Sequence, residues 1–254
     1  YQLNTSPKPP DTTPPGETVL VETRLLPHLK FLIQSAINNT PEDWKHTVLC
    51  TESSYNKIKS ICKGISPYIN VMKLPIKNVT QQSYNNLLLT KGFWNQLTAE
   101  KILIYQQDVS LFDNNIEDFI KYDYIGAPWL HTQDDNTIGV GNGGLSVRSR
   151  SVMLKCLNTI SPKNLRINDS TRQYMSSVDL VLPPEDVYFS KTMLDYKIGT
   201  VAPRAIAKTF SVERVFSPHS YGGHQYWLCD YESFHKGHTP FKLHDSTYFN
   251  NEAK

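Results

Sequence analysis

The sequence predicts an α/β protein with a mostly parallel, Rossmann-like sheet flanked by helices. Three observations predict it. Short apolar runs alternate with helix-period segments through the first half of the chain. Each run is separated from the next by enough residues for a helical crossover, which parallel neighbours require. The residues leaving the runs (Glu22-Thr23-Arg24, Thr51-Glu52 and Gln106-Gln107-Asp108) are polar, as at the ligand-facing strand ends of such sheets.

Taken in order, residues 18–23 form a first strand. Pro27 then opens a helix in which Leu29, Leu32, Ile33 and Ile37 recur at helical spacing. A second strand covers 46–50, and Thr51-Glu52-Ser53-Ser54 turns and caps the helix containing Ile58 and Ile61. A third strand covers 71–74, helical spacing runs from Ser83 to Leu97 with a break at Gly92, and 101–105 is the clearest strand. In the second half, 124–127 and 145–147 read as strands, Pro128-Trp129 as a loop, and Ser149 as the cap of a helix to Leu157. The polar stretch 161–177 reads as a loop, 185–196 as a helix ended by Gly199, and 200–210 as extended chain. No internal repeat or second core is visible. The expected division is a Pro/Thr-rich linker over 1–17, one domain over 18–230, and a tail over 231–254 that packs on it or is partly disordered.

The bulk properties exclude several classes. A chain of 254 residues buries a sizeable core. Its formal charge of +2, on scattered basic residues, argues against nucleic acid as a partner. Cys50, Cys62, Cys156 and Cys229 form no Cys-x-x-Cys pair, which argues against zinc and for reduced, buried thiols; disulfides stay open for a secretory lumen. No apolar run has the length of a membrane span. The leading Pro/Thr-rich segment fits either a stem behind a membrane anchor or a disordered leader. The compartment, cytoplasmic or luminal, stays open, and the sequons at Asn4, Asn38, Asn78 and Asn168 do not decide it.

Four constellations carry chemistry. Asp108, at the end of a buried strand, is placed either to hold a divalent cation or to cap the next turn. The turn Gly141-Asn142-Gly143-Gly144 enters a strand rather than a helix, so it is no P-loop; its glycines permit positive φ and close approach to a ligand. Glu185 and Asp186 begin a helix after Pro183-Pro184, either as caps favoured by the helix dipole or with one of them a general base. His219 and His224 flank Gly222-Gly223 beside aromatics, and an imidazole can complete a metal site begun by Asp108. Arg148, Arg150 and Lys155 read as solvated helix-face charge.

In this order the segments resemble glycosyltransferases of the A-type fold. Gln106-Gln107-Asp108 looks like a degenerate Asp-x-Asp motif, and Gly143-Gly144-Leu145-Ser146 like the glycine-rich acceptor-side strand. Glu185-Asp186-Val187-Tyr188 is similar to the Glu-Asp-Val-Tyr segment of β-1,3-galactosyltransferases. His219-x-x-Gly222-x-x-Gln225-Tyr226-Trp227 echoes a metal-binding element of glycogenin-like enzymes. A family of uncharacterised glycosyltransferase-like domains shares Glu-Thr-Arg-x-Leu-Pro at 22–27, Asp-Tyr-Ile-Gly-Ala-Pro-Trp at 123–129, Gly-Asn-Gly-Gly-Leu-Ser and Glu-Asp-Val-Tyr, across about 18–230.

The resemblance implies transfer of a sugar from a nucleotide-diphosphate donor, such as a UDP- or GDP-sugar, to a hydroxyl of a glycan or glycoprotein, with inversion. Asp186 would be the base and Glu185 would position the sugar. Asp108 and either His224 or His219 would hold Mn²⁺ or Mg²⁺. Glu22, Thr23, Arg24, Thr51 and Asn85 would line the nucleotide pocket, with Gln106 and Gln107 at the motif, Asn142, Gly143 and Gly144 against sugar or acceptor, and Trp129 as a stacking platform. Two departures weaken this: Gln106 supplies no charge to a metal, and Gln225-Tyr226 stands where a Lys-Pro pair would add a cation. The alternative is an inactive module of the same fold that binds glycan or nucleotide. A nucleotidyltransferase is disfavoured because 22–27 lacks glycine.

Overall fold

The computed structural model describes residues 13–76, 79–129 and 139–229. Most of the predicted linker, the sequons at Asn4 and Asn78, and the predicted tail lie outside the described residues.

Four strands form the expected parallel core: β1 (Gly16–Val21), β2 (Lys45–Thr51), β3 (Asn70–Leu74) and β4 (Lys101–Tyr105). Helix α1 (Leu29–Asn38) links the first pair and α2 (Glu52–Lys63) the second. Helices α3 (Gln81–Leu88) and α4 (Lys91–Asn95) lie between β3 and β4. After the short β5 (Val109–Leu111) come β6 (Tyr124–Ile125), β7 (Leu145–Ser149) and helices α5 (Arg150–Thr159), α6 (Asp169–Ser177), α7 (Glu185–Tyr196) and α8 (Arg204–Phe210). Strands β8 (Ser211–Val212) and β9 (Gly222–His224) follow.

The main sheet has the order β3-β2-β1-β4-β7-β6. Its first four strands are parallel, and β7 runs antiparallel to both β4 and β6. Burial on both faces explains the near-continuous apolar runs of β1 and β4. Alternate residues serve opposite layers: Leu20 and Leu103 pack with Leu29, Ile33 and Ile58, whereas Val19, Ile102 and Ile104 pack with Leu88, Trp94 and Phe189. The chain order reverses between β1 and β4, so helices leave to either side and a crevice opens beyond those strand ends. Glu22 and Gln106 to Asp108 therefore emerge at the same crevice.

The structure corrects four element assignments. The break in the third helical region falls at Thr90, whose hydroxyl accepts from the Phe93 N–H and caps α4, and Gly92 is inside that helix. The stretch read as a loop over 161–177 contains α6, capped by Asn168. That helix buries no residue, so it leaves no apolar period to detect. Residues 204–210 are helical rather than extended, with Pro203 at the N-cap. Finally, β5, β9 and β8 form a second, three-stranded sheet that local patterns did not announce, because its strands have two or three residues.

All four cysteines are free and buried. Among the described residues no helix is long and apolar enough to cross a membrane.

Candidate active site

A cavity of about 1110 Å³ lies beyond the C-terminal ends of β1 and β4, closed on its other sides by the entry to β7, the start of α7 and residues around α6. Glu22, Arg24, Gln106, Gln107 and Asp108 form the wall from the strand ends. Asn142, Gly143, Gly144, Glu185, Asp186 and Trp129 face them, and His224 closes one end. Thr23, Thr51 and His219 are not part of this wall. Thr51 is buried against Ser53 and Ser54 in the first turn of α2, and His219 is exposed.

The small sheet positions the first cluster. Val109 pairs with His224 and Val212 with Gly223, so Asp108, His224 and Glu213 are brought together from segments far apart in the chain. His224 Nε2 lies 3.2 Å from Asp108 Oδ1, and Nδ1 lies 3.2 Å from Glu213 Oε1. Burial alone would lower the His224 pKa, but hydrogen bonding and the charges of the two carboxylates outweigh it and raise it to about 9. Burial likewise pushes Asp108 up, yet His224 and Gln225 hold it below its ordinary value. Gln225 donates from Nε2 to Asp108 Oδ2 at 2.7 Å and from its backbone N–H to the Asp108 carbonyl at 3.1 Å. It does so from the left-handed backbone region, at φ 45°, a conformation that persists in a non-glycine residue only when its surroundings enforce it.

The glycine turn joins this cluster to the second. Its backbone meets three site residues in succession: the Asn142 N–H donates to Asp186 Oδ2 at 3.1 Å, Gly143 abuts Glu185, and Gly144 abuts His224. A Cβ at 143 would fall 2.0 Å from Glu185 Oε1, and one at 144 would fall 2.3 Å from the His224 ring. The positive φ sits on Asn142, at 67°, where Oδ1 accepts the Gly144 N–H. These two glycines are therefore required for room beside side chains, not for backbone conformation. The Gln106 N–H donates to the Gly144 carbonyl at 2.9 Å, tying the strand end to the turn.

Gly144→Ala is accordingly expected to displace the imidazole from between its carboxylates. Its titration should fall from about 9 toward the ordinary 6.5, as followed by NMR of the His224 ring. An unmoved titration would show that the ring keeps its seat.

Asp186 and Glu185 have unlike surroundings. Asp186 is half-buried, with Oδ1 accepting the Val187 N–H at 2.8 Å. Burial, and then the charge of Glu185, raises its pKa to about 6. Glu185 is engaged by Arg148: Nη1 donates to Oε2, and Nη2 to Oε1 at 3.0 Å. Arg148 is wholly buried in β7, with Nε donating to Ser146 Oγ and its guanidinium over the Tyr124 ring. The reading of Arg148 as a solvated helix charge is thus corrected. Because both Glu185 oxygens are bound by a buried cation, Glu185 supports its neighbour rather than facing the cavity as a free carboxylate.

Asn85 plays a similar supporting part. Its Oδ1 accepts the Glu185 N–H at 2.7 Å and its Nδ2 donates to the Pro183 carbonyl at 3.0 Å. It caps α7 from α3, because Pro184 at the N-cap has no side chain able to do so. At the opposite wall the buried Glu22 binds the exposed Arg24 through both oxygens, while Oε1 also accepts the Thr23 N–H. Trp129 packs on Gly141, and its carbonyl accepts from Arg204. Sequence reasoning missed Glu213, Arg148 and the exposed Arg214 on the cavity wall. For the first and last, the only signal was position within an unremarkable stretch.

The donor set also bears on a metal. Asp108 Oδ1 and His224 Nε2 are buried and paired only with one another, 3.2 Å apart, and Glu213 backs the ring at Nδ1. A carboxylate behind a ligating imidazole is the usual means of orienting it. The pair would supply two ligands to a divalent ion only when His224 gives up the proton that its carboxylate neighbours hold on it. Among the described residues no group of three histidines, cysteines or carboxylates forms a fuller set.

Residues 68–224 match the family described as "Protein of unknown function (DUF5672)". The chain belongs to this family. No curated protein matches this DUF5672 chain. Solved structures similar to it include the apo form of mouse xyloside xylosyltransferase 1, at 11% identity and TM-score 0.49, covering 82% of this chain and 96% of that one. A 4-diphosphocytidyl-2C-methyl-D-erythritol synthase from Anaerococcus prevotii is 10% identical with TM-score 0.42, covering 66% of this chain and 83% of that one. The apo form of the glycosyltransferase GlyE from Streptococcus pneumoniae is 13% identical with TM-score 0.38, covering 83% and 54%. Likeness at this level carries no argument about activity, which has to come from the site.

Proposed function

We propose that this chain is a nucleotide-sugar-dependent glycosyltransferase that moves a sugar to a hydroxyl acceptor with inversion, using Asp186 as general base. The observation that supports this best is the glycine turn. One backbone segment contacts both a half-buried carboxylate with pKa about 6 and the Asp108–His224 pair, inside one cavity.

In this reading Asp186 takes the proton of the acceptor hydroxyl as that oxygen bonds to the sugar's anomeric carbon. The bond from that carbon to the donor phosphate breaks, and the nucleoside diphosphate leaves with the electron pair. A base with pKa near 6 is mostly ionised at neutral pH yet still basic enough to accept a proton in the transition state. Glu185, held by Arg148, keeps a negative charge beside Asp186, and the Asn142 and Val187 N–H groups fix its orientation. Asp108 and His224 would hold Mn²⁺ or Mg²⁺, which when bound neutralises charge on the diphosphate. Asn142 and Trp129 would contact the sugars, and Glu22 and Arg24 would border the nucleotide.

The test is a panel of nucleotide sugars, scored first by thermal stabilisation and then by nucleotide release with and without manganese. Stabilisation together with release supports transfer. Stabilisation without release, across a panel of sugar acceptors, points to the inactive module. A pH profile adds an independent check. Because the base must be ionised, kcat/KM for transfer should rise about tenfold per pH unit below the Asp186 pKa of about 6 and level off above it. A flat profile from pH 5 to 7 would remove Asp186 from the role.

A further inference from the structure

Most charges around the cavity are already matched. Arg24 is paired with Glu22, His224 lies between Asp108 and Glu213, and Arg148 behind the wall is bound to Glu185. Arg214 differs. It lies on the cavity wall, exposed, and no carboxylate approaches it within ion-pair distance among the described residues. Its place is set by β8, where Val212 pairs with Gly223 and the next residue, Glu213, reaches His224. Arg214 is therefore one residue beyond the carboxylate that backs the Asp108–His224 pair.

From this arrangement we infer that Arg214 binds the diphosphate of the donor, and that it is the cation on which nucleotide affinity chiefly depends. The inference rests on the reading of the site as a nucleotide-sugar transferase. A guanidinium offers a planar fork of donors that matches phosphate oxygens, and an unpaired one loses no internal partner when an anion arrives. Neither Gln106 nor Gln225 carries a charge, and the Gln225 amide is already committed to Asp108. Arg214, two residues past the end of β8, thus supplies a positive charge that the Gln225 position lacks. A guanidinium acting in this way discriminates by the number of phosphates and is indifferent to the base.

Calorimetric titration of the full chain with nucleosides, their monophosphates and diphosphates (uridine, guanosine, cytidine and adenosine series) and inorganic pyrophosphate tests this. Arg214→Ala should weaken the preferred diphosphate about 10- to 100-fold, the monophosphate less, and the nucleoside not at all. Arg214→Lys should recover part of the loss, since the charge returns without the fork. Equal loss across nucleoside, monophosphate and diphosphate would mean a general disturbance of the pocket and overturn the inference. So would unchanged diphosphate affinity in Arg214→Ala, with the transferase reading left intact. Binding of pyrophosphate as tight as any diphosphate would also overturn it, by making the site one for free anions. If the unaltered chain binds no nucleoside diphosphate at all, the transferase reading falls and the inference with it.

Discussion

Asp186→Asn is expected to lower transfer by about 10²- to 10⁴-fold while the donor still binds and stabilises the protein. The substitution keeps the size of the side chain and removes the basic oxygen. It also replaces one of two hydrogen-bond acceptors by a donor, so the contact with either the Asn142 or the Val187 N–H is lost, at about 1 kcal/mol. A protein of this size tolerates that loss, so the fold should survive and activity should not. Single-turnover transfer and donor titration on the same preparation separate the two effects. Near-normal turnover in the variant would sink the assignment of the base.

The largest stability effect should come from Arg148. Arg148→Met leaves Glu185 buried without its cation, and breaking a buried pair from one side typically costs about 3–5 kcal/mol. For a chain of this length that is a fall of roughly 6–20 °C in melting temperature. The guanidinium also sits 4.9 Å from the centre of the Tyr124 ring and 5.8 Å from that of Phe189, so its removal loses packing too. Adding Glu185→Leu should recover much of the stability, because two apolar groups replace a pair that has to be desolvated. It should not recover transfer, since the start of α7 then loses the charge beside Asp186. A single-variant melting shift under about 2 °C would show that Glu185 finds another partner.

These two residues show where sequence reasoning succeeds and fails. The place of Asp186 in the first turn of α7 was legible because it follows two prolines, a signal that lies within a few residues. Arg148 was not. A charged residue near the end of a strand and the start of a helix usually faces water, and its partner is 37 residues away. Glycines 143 and 144 were found with two reasons open, positive φ and close approach, and the first does not apply. A run of glycines signals unusual φ or close approach with equal force, and only the neighbours, Glu185 and His224, decide which applies.

By itself the sequence determined the alternating helices and strands, the parallel core and the strand ends that face the crevice. Those follow from apolar periodicity and turn chemistry, which act over five to twelve residues or so. Only the tertiary structure decided that His224 rather than His219 stands beside Asp108, and that Glu213 and Arg214 belong to the same wall. The physical reason is the second sheet. Three strands too short to be recognised alone are stabilised by one another, and their pairing brings residues more than a hundred positions apart into contact.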